Sequence, residues 1–494
     1  MPFNPTDEQA VALDAFGDGD HLAIQAGAGT GKTSTLAFLA EQKAARRGLY
    51  LAFNRAIALD AAARFPASVQ CKTAHSLAYA ALGYRFRDRL NSPRRPGWKV
   101  GQDLGLIGAT RIHGRDLMPA TLSNAVLRTV NLYCQSADTD LAHHHVPRLR
   151  GIDSDEAHAE LADLLLPYAA KAWGDLQSPD GGAVRFEHDH YLKMWALTEP
   201  VLHGDFLLLD EAQDTNPVLE QVVLAQRART QIVMVGDSAQ AIYGWRGARD
   251  VMAKSAGRHL TLTRSFRFGP ELAAEANRWL ALSGAPIQLT GSPDILTSIG
   301  GSAYSPSAVL CRTNIGAVSE ILTLLDAGTA TALVGGGSTL RVLAQAARDL
   351  IGGRRTHHPE LLLFTTWTAL RDYAELDPAG ADLQPFANLV DEHGPDAILH
   401  AVDRLVPEDH ANVTVSTAHK AKGREWAHVR IATDFTPPPD TNAVDSSGCP
   451  VPGPVKESEA RLAYVAVTRA RHHLDPEGLA WIDQHPDNPM RRYP

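Results

Sequence analysis

The sequence predicts an α/β protein with two cores of parallel strands, each interrupted by an inserted, mainly helical segment. Three observations carry this. Short apolar runs alternate with helix-like stretches, the pattern of strands joined by helical crossovers. Several runs lead straight into polar or Gly-rich residues, as strands do when their carboxyl ends face a ligand. Two stretches, 85–203 and 354–409, break the alternation. The 494 residues allow roughly three domains of about 100–200 residues each. The expected layout is a first core of 1–84 with 204–261, carrying insertion 85–203. A second core of 262–353 with 410–494 carries insertion 354–409.

The strands expected in the first core are HLAIQA (21–26), GLYLAF (48–53), FLLLD (206–210) and QIVMVGD (231–237). Those in the second are SAVLCR (307–312), TALVGG (331–336) and HVRIATD (428–434). The first insertion is polar and helix-leaning, with turn chemistry at SPRRPG (92–97) and SPDGG (178–182). TPPPD (436–440) and PVPGP (450–454) bracket an exposed loop before a final helix.

Composition closes several alternatives. Hydrophobic residues at 44% and charged residues at 21% are globular values, which excludes wholesale disorder and a disulfide-stapled mini-fold. The net charge of −9 advertises no global polyanion-binding field, so a nucleic acid would need a local groove. No apolar run approaches the ~18 residues of a membrane span, and MPFNPTDEQA lacks the pattern of a signal peptide. Cys71, Cys134, Cys311 and Cys449 form no CxxC pair. The expectation is a cytoplasmic protein, nucleoid-associated if prokaryotic, with no membrane partner.

QAGAGTGKTSTL (25–36) follows a strand and should open a helix. Backbone N–H groups wrap phosphates only where side chains are small, and a Lys and a hydroxyl complete the cradle for β/γ-phosphates and Mg²⁺. Ala26, Gly27, Ala28, Gly29, Thr30, Gly31, Lys32, Thr33 and Ser34 supply this, with Ala26 where GxxxxGK[ST] has its first Gly. In LLLDEAQD (207–214), Asp210 ends an apolar strand and can hold Mg²⁺ together with Thr33. Glu211 beside it can orient or deprotonate the attacking water. ATP and Mg²⁺ are therefore the expected cofactors.

VGDSAQAIYGWRGA (235–248) resembles the third motif of UvrD/Rep-type superfamily 1 DNA helicases. Other motifs follow in family order: NPTDEQ (4–9), LTRSFRF (262–268), VTVSTAHKAKGREW (413–426) and RLAYVAVTRAR (461–471). Within the superfamily the sequence resembles the F-box DNA helicase group, through YLAFNRAIA (50–58), CKTAHSLAY (71–79), HDHYLKMWALTEP (188–200), LTRSFRFG (262–269) and HKAKGREW (419–426). No F-box precedes the first motif, so ubiquitin-ligase recruitment is not expected to carry over; little chain follows Arg469, so a nuclease fusion is not expected either. Arg424 stands where the family usually has an apolar residue.

The resemblance implies two RecA-like P-loop NTPase cores and 3′→5′ movement. It makes Gln9 the adenine reader and Gln240 the γ-phosphate sensor. Arg267 and Arg469 become phosphate-contacting arginines, Arg469 the finger, with Glu425 near the ribose. Because Arg267 and Arg469 lie late in the chain, ATP is expected to draw the two cores together and hydrolysis to release them. Single-stranded DNA is expected to meet stacking platforms and phosphate donors: Phe53, Asn54, His75, Tyr243, Trp245, Arg246, Arg312 and His419. Phe53 reads equally as core, and Arg312 almost equally as a salt-bridge residue. A monomer working at single-strand/duplex junctions with repair or recombination proteins is the expected setting. A translocase that strips proteins from single strands, or an ATPase subunit of a larger complex, are the alternatives.

Other features are discounted. His143, His144 and His145 are consecutive and cannot share one helix face, so a metal site is not expected there. His357 and His358 carry less. The basic run RFRDRLNSPRRPGWK (85–99) reads equally as a duplex grip or a solvated loop.

Overall fold

The computed structural model describes residues 5–492 other than 93, 94, 96, 150, 153, 243–249, 253, 254, 302, 303, 357, 359, 360, 362, 363, 365, 377–382 and 445–449. The chain forms two compact units: Met1–Ala26 with Gly31–Leu262, and Gly27–Thr30 with Thr263–Pro494.

The first unit is built on six parallel strands: β1 (Leu22–Ala26), β2 (Gly48–Ala52), β3 (Val69–Thr73), β4 (Phe206–Leu209), β5 (Gln231–Gly236) and β6 (Arg258–Leu262). Their order is β3-β2-β4-β5-β1-β6. Side chains alternate across a strand, and both faces are apolar here, as parallel sheets require. Tyr50, Phe206, Leu208, Val233 and Val235 pack on one face with Phe16 and Leu36. Leu49, Leu51, Leu207, Leu209 and Met234 pack on the other. That second face is continuous with helices Pro119–Gln135, Asp155–Gln177 and His188–Ala196, whose Leu122, Leu161 and Leu192 belong to the same core. The segment 85–203 thus covers one face of the sheet.

The second unit repeats the plan. Strands β7 (Ser298–Ile299), β8 (Ala308–Cys311), β9 (Thr331–Leu333), β10 (Val413–Thr417), β11 (Trp426–Ile431) and β12 (Ala470–Asp475) form a parallel sheet ordered β7-β12-β11-β8-β10-β9. Helices Ser338–Ile351, Trp367–Leu376, Gln384–His393 and Pro395–Arg404 gather Leu350, Trp367, Phe386 and Ile398 into a smaller cluster. Two six-stranded parallel sheets are the architecture of two RecA-like cores.

The seven expected strands are all present, and five more join them. β3 (VQCKT) and β6 (RHLTL) lie at the sheet edges, where half-exposed positions admit polar residues and erase the apolar signal. β10 (VTVST) is buried at all five positions, its threonines serving as β-branched strand formers. Among the described residues no helix is long and apolar enough to cross a membrane.

Candidate nucleotide and nucleic-acid site

β1 ends at Ala26 and the Gly-rich loop follows. Gly29 (φ 76°) and Gly31 (φ 80°) hold left-handed backbone, which glycine adopts without a Cβ penalty. Gly31 is the N-cap of helix Lys32–Gln42, and no side chain caps that end. Its first N–H groups are therefore positioned to receive an anion, with the helix dipole behind them. Thr33 Oγ1 lies 3.4 Å from Asp210 Oδ2, so the two expected Mg²⁺ ligands come together. Lys32 Nζ lies 3.5 Å from the Ala26 carbonyl, and Ser34 is exposed. Residues 27–30 group with the second unit: the Ala28 N–H donates to the Tyr464 hydroxyl at 2.9 Å, and the Phe266 N–H donates to the Gly29 carbonyl at 2.8 Å. Thr30 closes the turn by donating its hydroxyl to the Gly27 carbonyl.

Gln9 is buried, and both ends of its amide are engaged. Oε1 accepts the Thr6 N–H at 3.0 Å, and Nε2 donates to Thr35 Oγ1 at 3.0 Å. The first helix is thereby anchored to the helix that carries Lys32.

Asp210 follows β4, buried among donors. Oδ2 accepts the Tyr50 hydroxyl at 2.6 Å, and Oδ1 accepts the Glu211 N–H at 2.9 Å. Burial pushes its carboxyl up to about 6, reinforced by the charge of Glu211 and opposed by Tyr50 and Lys32. A divalent cation would hold the group ionised. Tyr50→Phe removes a charge-assisted bond of about 1.5–3 kcal/mol. The Mg²⁺ half-saturation for nucleotide hydrolysis is expected to rise roughly tenfold; an unchanged Mg²⁺ titration would show that Asp210 does not depend on Tyr50.

Glu211 takes φ 52°, the left-handed region, where side chains other than glycine are strained. Its carboxylate accepts from Gln213 Nε2 at 2.6 Å. Gln240 is buried and donates to Asp237 Oδ2 at 2.6 Å, in the turn after β5. Tyr243, Trp245 and Arg246 lie outside the described residues.

Of the expected DNA contacts in the first unit, Phe53 is 49% exposed, which removes the core reading. It stands at the end of β2 beside a cavity of about 200 Å³ that reaches His75, Asp189, Asp210 and Glu211. His75 pairs with Asp189 at 3.0 Å, and this bond holds the Asp189 carboxyl below its ordinary range. The Asn54 side-chain oxygen accepts the Ile57 N–H at 3.0 Å and caps helix Arg55–Arg64.

The second unit holds the remaining expected residues. Arg312 makes a bidentate pair with Glu459, both bonds 2.8 Å, so the salt-bridge reading describes it and its guanidinium is engaged. His419 is half-buried, its pKa lowered by burial and then by the charge of Arg312. Arg267 pairs with Glu425 at 2.7 Å and donates to the Thr468 carbonyl at 3.0 Å. Arg469 is 1% exposed and donates to the Val465 carbonyl, the Arg424 carbonyl and the Thr468 hydroxyl at 2.8, 3.2 and 2.9 Å. Arg424 itself pairs with Glu408. Arg267 and Glu425 thus meet each other, while Arg469 is bound into its own unit.

The discounted features resolve as follows. His144 and His145 do converge, on Asp138 at 2.6 and 2.9 Å, because residues 143–145 form a 3-10 turn and not a longer helix. The Ala142 N–H donates to His145 Nδ1 at 2.9 Å, which leaves the ring proton on Nε2, the atom facing Asp138. That tautomer makes a hydrogen-bonded corner and disfavours Nε2 as a metal ligand. In the basic run, Arg89 is buried, binding Asp175, the Ser178 carbonyl and the Val184 carbonyl. His357 lies outside the described residues.

Tyr50, Asp189, Gln213, Asp237 and Tyr464 were given no role from sequence. The signal for Gln213 was present in LLLDEAQD, immediately after the acid pair. For Tyr50 it was a polar tip in an otherwise apolar strand.

Comparison with known proteins bears on this geometry directly. Residues 9–246 match a family described as an AAA domain, and residues 370–475 match the UvrD-like helicase C-terminal domain. F-box DNA helicase protein 1 of Schizosaccharomyces pombe is 30% identical over 516 residues, covering 95% of this chain and 57% of that protein. F-box DNA helicase 1 of Gallus gallus is 28% identical, covering 95% of this chain and 48% of that protein. The ATP-dependent DNA helicase UvrD2 of Mycobacterium tuberculosis is 26% identical, covering 96% and 78%. The chain spans about half the length of the F-box relatives it matches. With two parallel-sheet cores, a P-loop beside an acid pair and matches at both ends, this chain is similar to the UvrD-like helicases and, over nearly its whole length, to the F-box DNA helicases.

Proposed function

We propose that the chain is an ATP- and Mg²⁺-dependent motor that moves 3′→5′ along single-stranded DNA and opens duplex at junctions, acting in repair or recombination. The observation that carries the reading is the meeting of Thr33 and Asp210 beside the uncapped helix start at Lys32. Thr33 and Asp210 would hold Mg²⁺, the loop from Ala26 to Ser34 the phosphates, and Glu211 the attacking water. The metal would neutralise charge developing on the phosphoryl oxygens. The names of the F-box and UvrD2 relatives, all DNA helicases, support DNA as the track. The family's 3′→5′ habit supports the direction.

Strand displacement on duplexes with a 3′ or a 5′ single-stranded tail tests it. Unwinding of the 3′-tailed substrate alone is expected. Removal of recombinase from single strands without displacement on either substrate would replace the helicase reading with the protein-stripping one. Trp245→Ala is expected to weaken oligo-dT affinity by about 1–3 kcal/mol, the worth of one stacked base, while basal ATPase is retained. Unchanged affinity and unwinding would remove Trp245 from the DNA site.

A further inference from the structure

We infer that Gln213 is a positioning residue for hydrolysis, locking Glu211 to the turn after β5 that carries Asp237 and Gln240. The inference rests on the function proposed above, in which Glu211 handles the attacking water. Gln213 is 0% exposed and sits in the short turn Ala212–Asp214. Its Oε1 accepts the Asp237 N–H at 2.9 Å, and its Nε2 donates to Glu211 Oε2 at 2.6 Å and to Asp214 Oδ2 at 3.4 Å. The partners fix the amide orientation, because a backbone N–H needs the oxygen and a carboxylate needs the NH₂.

The chain of bonds continues past Asp237. Its Oδ2 accepts Gln240 Nε2 at 2.6 Å, and its Oδ1 accepts the Ala239 N–H at 3.1 Å. A shift of Gln240 would therefore pull on Asp237, and through one planar amide on the Glu211 carboxylate. The backbone makes room for this amide. A Cβ on Gly236 would stand 2.2 Å from Gln213 Oε1, so β5 must end in glycine for Gln213 to reach Asp237. Glu211 is held at φ 52°, and the Gln213 amide bonds its carboxylate. The planar amide offers a donor to one neighbour and an acceptor to the other from a single rigid group.

A purely structural role would need only the acceptor and the volume, and Gln213→Glu keeps both. It loses the donor and sets a carboxylate against Glu211 and Asp214. Steady-state ATPase with saturating oligo-dT, alongside binding of a fluorescent ATP analogue, separates the cases. Gln213→Glu is expected to lower kcat on the order of 10²-fold, the cost of misplacing a catalytic group by about 1 Å. KM for ATP and analogue affinity should stay within about twofold, since no phosphate contact is lost. Combined with Glu211→Gln, it should add almost nothing, because both changes disable one unit. Wild-type kcat in Gln213→Glu, or full additivity with Glu211→Gln, would overturn the inference and leave the proposed function standing. Wild-type turnover in Glu211→Gln alone would remove Glu211 from the water-orienting role and overturn the inference with it. Should Gln213→Glu not fold, Gln213→Asn, one methylene short of Glu211, is expected to show the same kcat loss at constant KM; wild-type kcat there would equally overturn it.

Discussion

Glu211→Gln is expected to bind ATP as the wild type does and to lose hydrolysis by about 10²–10⁴-fold, the worth of a general base. Lys32→Ala is expected to lose turnover as well, but by removing the cation for the β/γ-phosphates, so nucleotide affinity should fall with it. The two variants differ because their side chains do different work. Lys32 opens the helix at which phosphates would be held, whereas Glu211 stands beyond β4 with its carboxylate accepting from Gln213. Nucleotide binding by fluorescence and phosphate release by steady-state assay make the distinction. Hydrolysis at wild-type rate in Glu211→Gln would remove the residue from the water-orienting role.

Arg469→Ala is the second large effect. The finger role implied by YVAVTRAR is worth about 10³–10⁵ in kcat in related phosphoryl transfer. DNA-stimulated hydrolysis and unwinding should fall accordingly, with nucleotide binding retained. The structure adds a cost that the motif does not suggest. The guanidinium satisfies the Val465 and Arg424 carbonyls and the Thr468 hydroxyl inside the second unit. Three hydrogen bonds from a charged donor are lost, each worth about 1.5–3 kcal/mol, so the melting temperature should fall by several degrees. If stability falls while turnover per folded molecule stays near wild type, Arg469 is scaffold and the finger role must be abandoned. Arg471 is 51% exposed and lies 3.6 Å from Glu425; Arg471→Ala should stay within about twofold of wild type, as exposed pairs contribute little.

The candidate nucleotide residues were legible in the sequence because they fall in two short stretches, each with its own signal. A loop of small residues with a Lys and a Thr is one short stretch, two acids after an apolar strand are another 177 positions on, and each announces its chemistry locally. The residues that orient those groups were not legible. Tyr50 and Asp210 are 160 positions apart, and an apolar strand does not say which face meets the acid. For Arg312 the salt-bridge reading had no partner to name, because Glu459 lies 147 positions away. Asn54 looked like a nucleic-acid contact, yet a helix starts just after it and the local N–H claims its oxygen. His144 and His145 were dismissed on helical geometry that residues 143–145 do not adopt. The edge strands β3 and β6 escaped notice because exposed positions carry no apolar period. Local chemistry was readable, while long-range pairing required the fold.

ATP hydrolysis by the full 494-residue chain, measured with and without oligo-dT, tests the central claim most directly. A DNA-stimulated motor should show low turnover alone and a severalfold or greater rise on adding single strands, absent in Lys32→Ala. Turnover that is indifferent to single-stranded DNA, or that persists in Lys32→Ala, would contradict it.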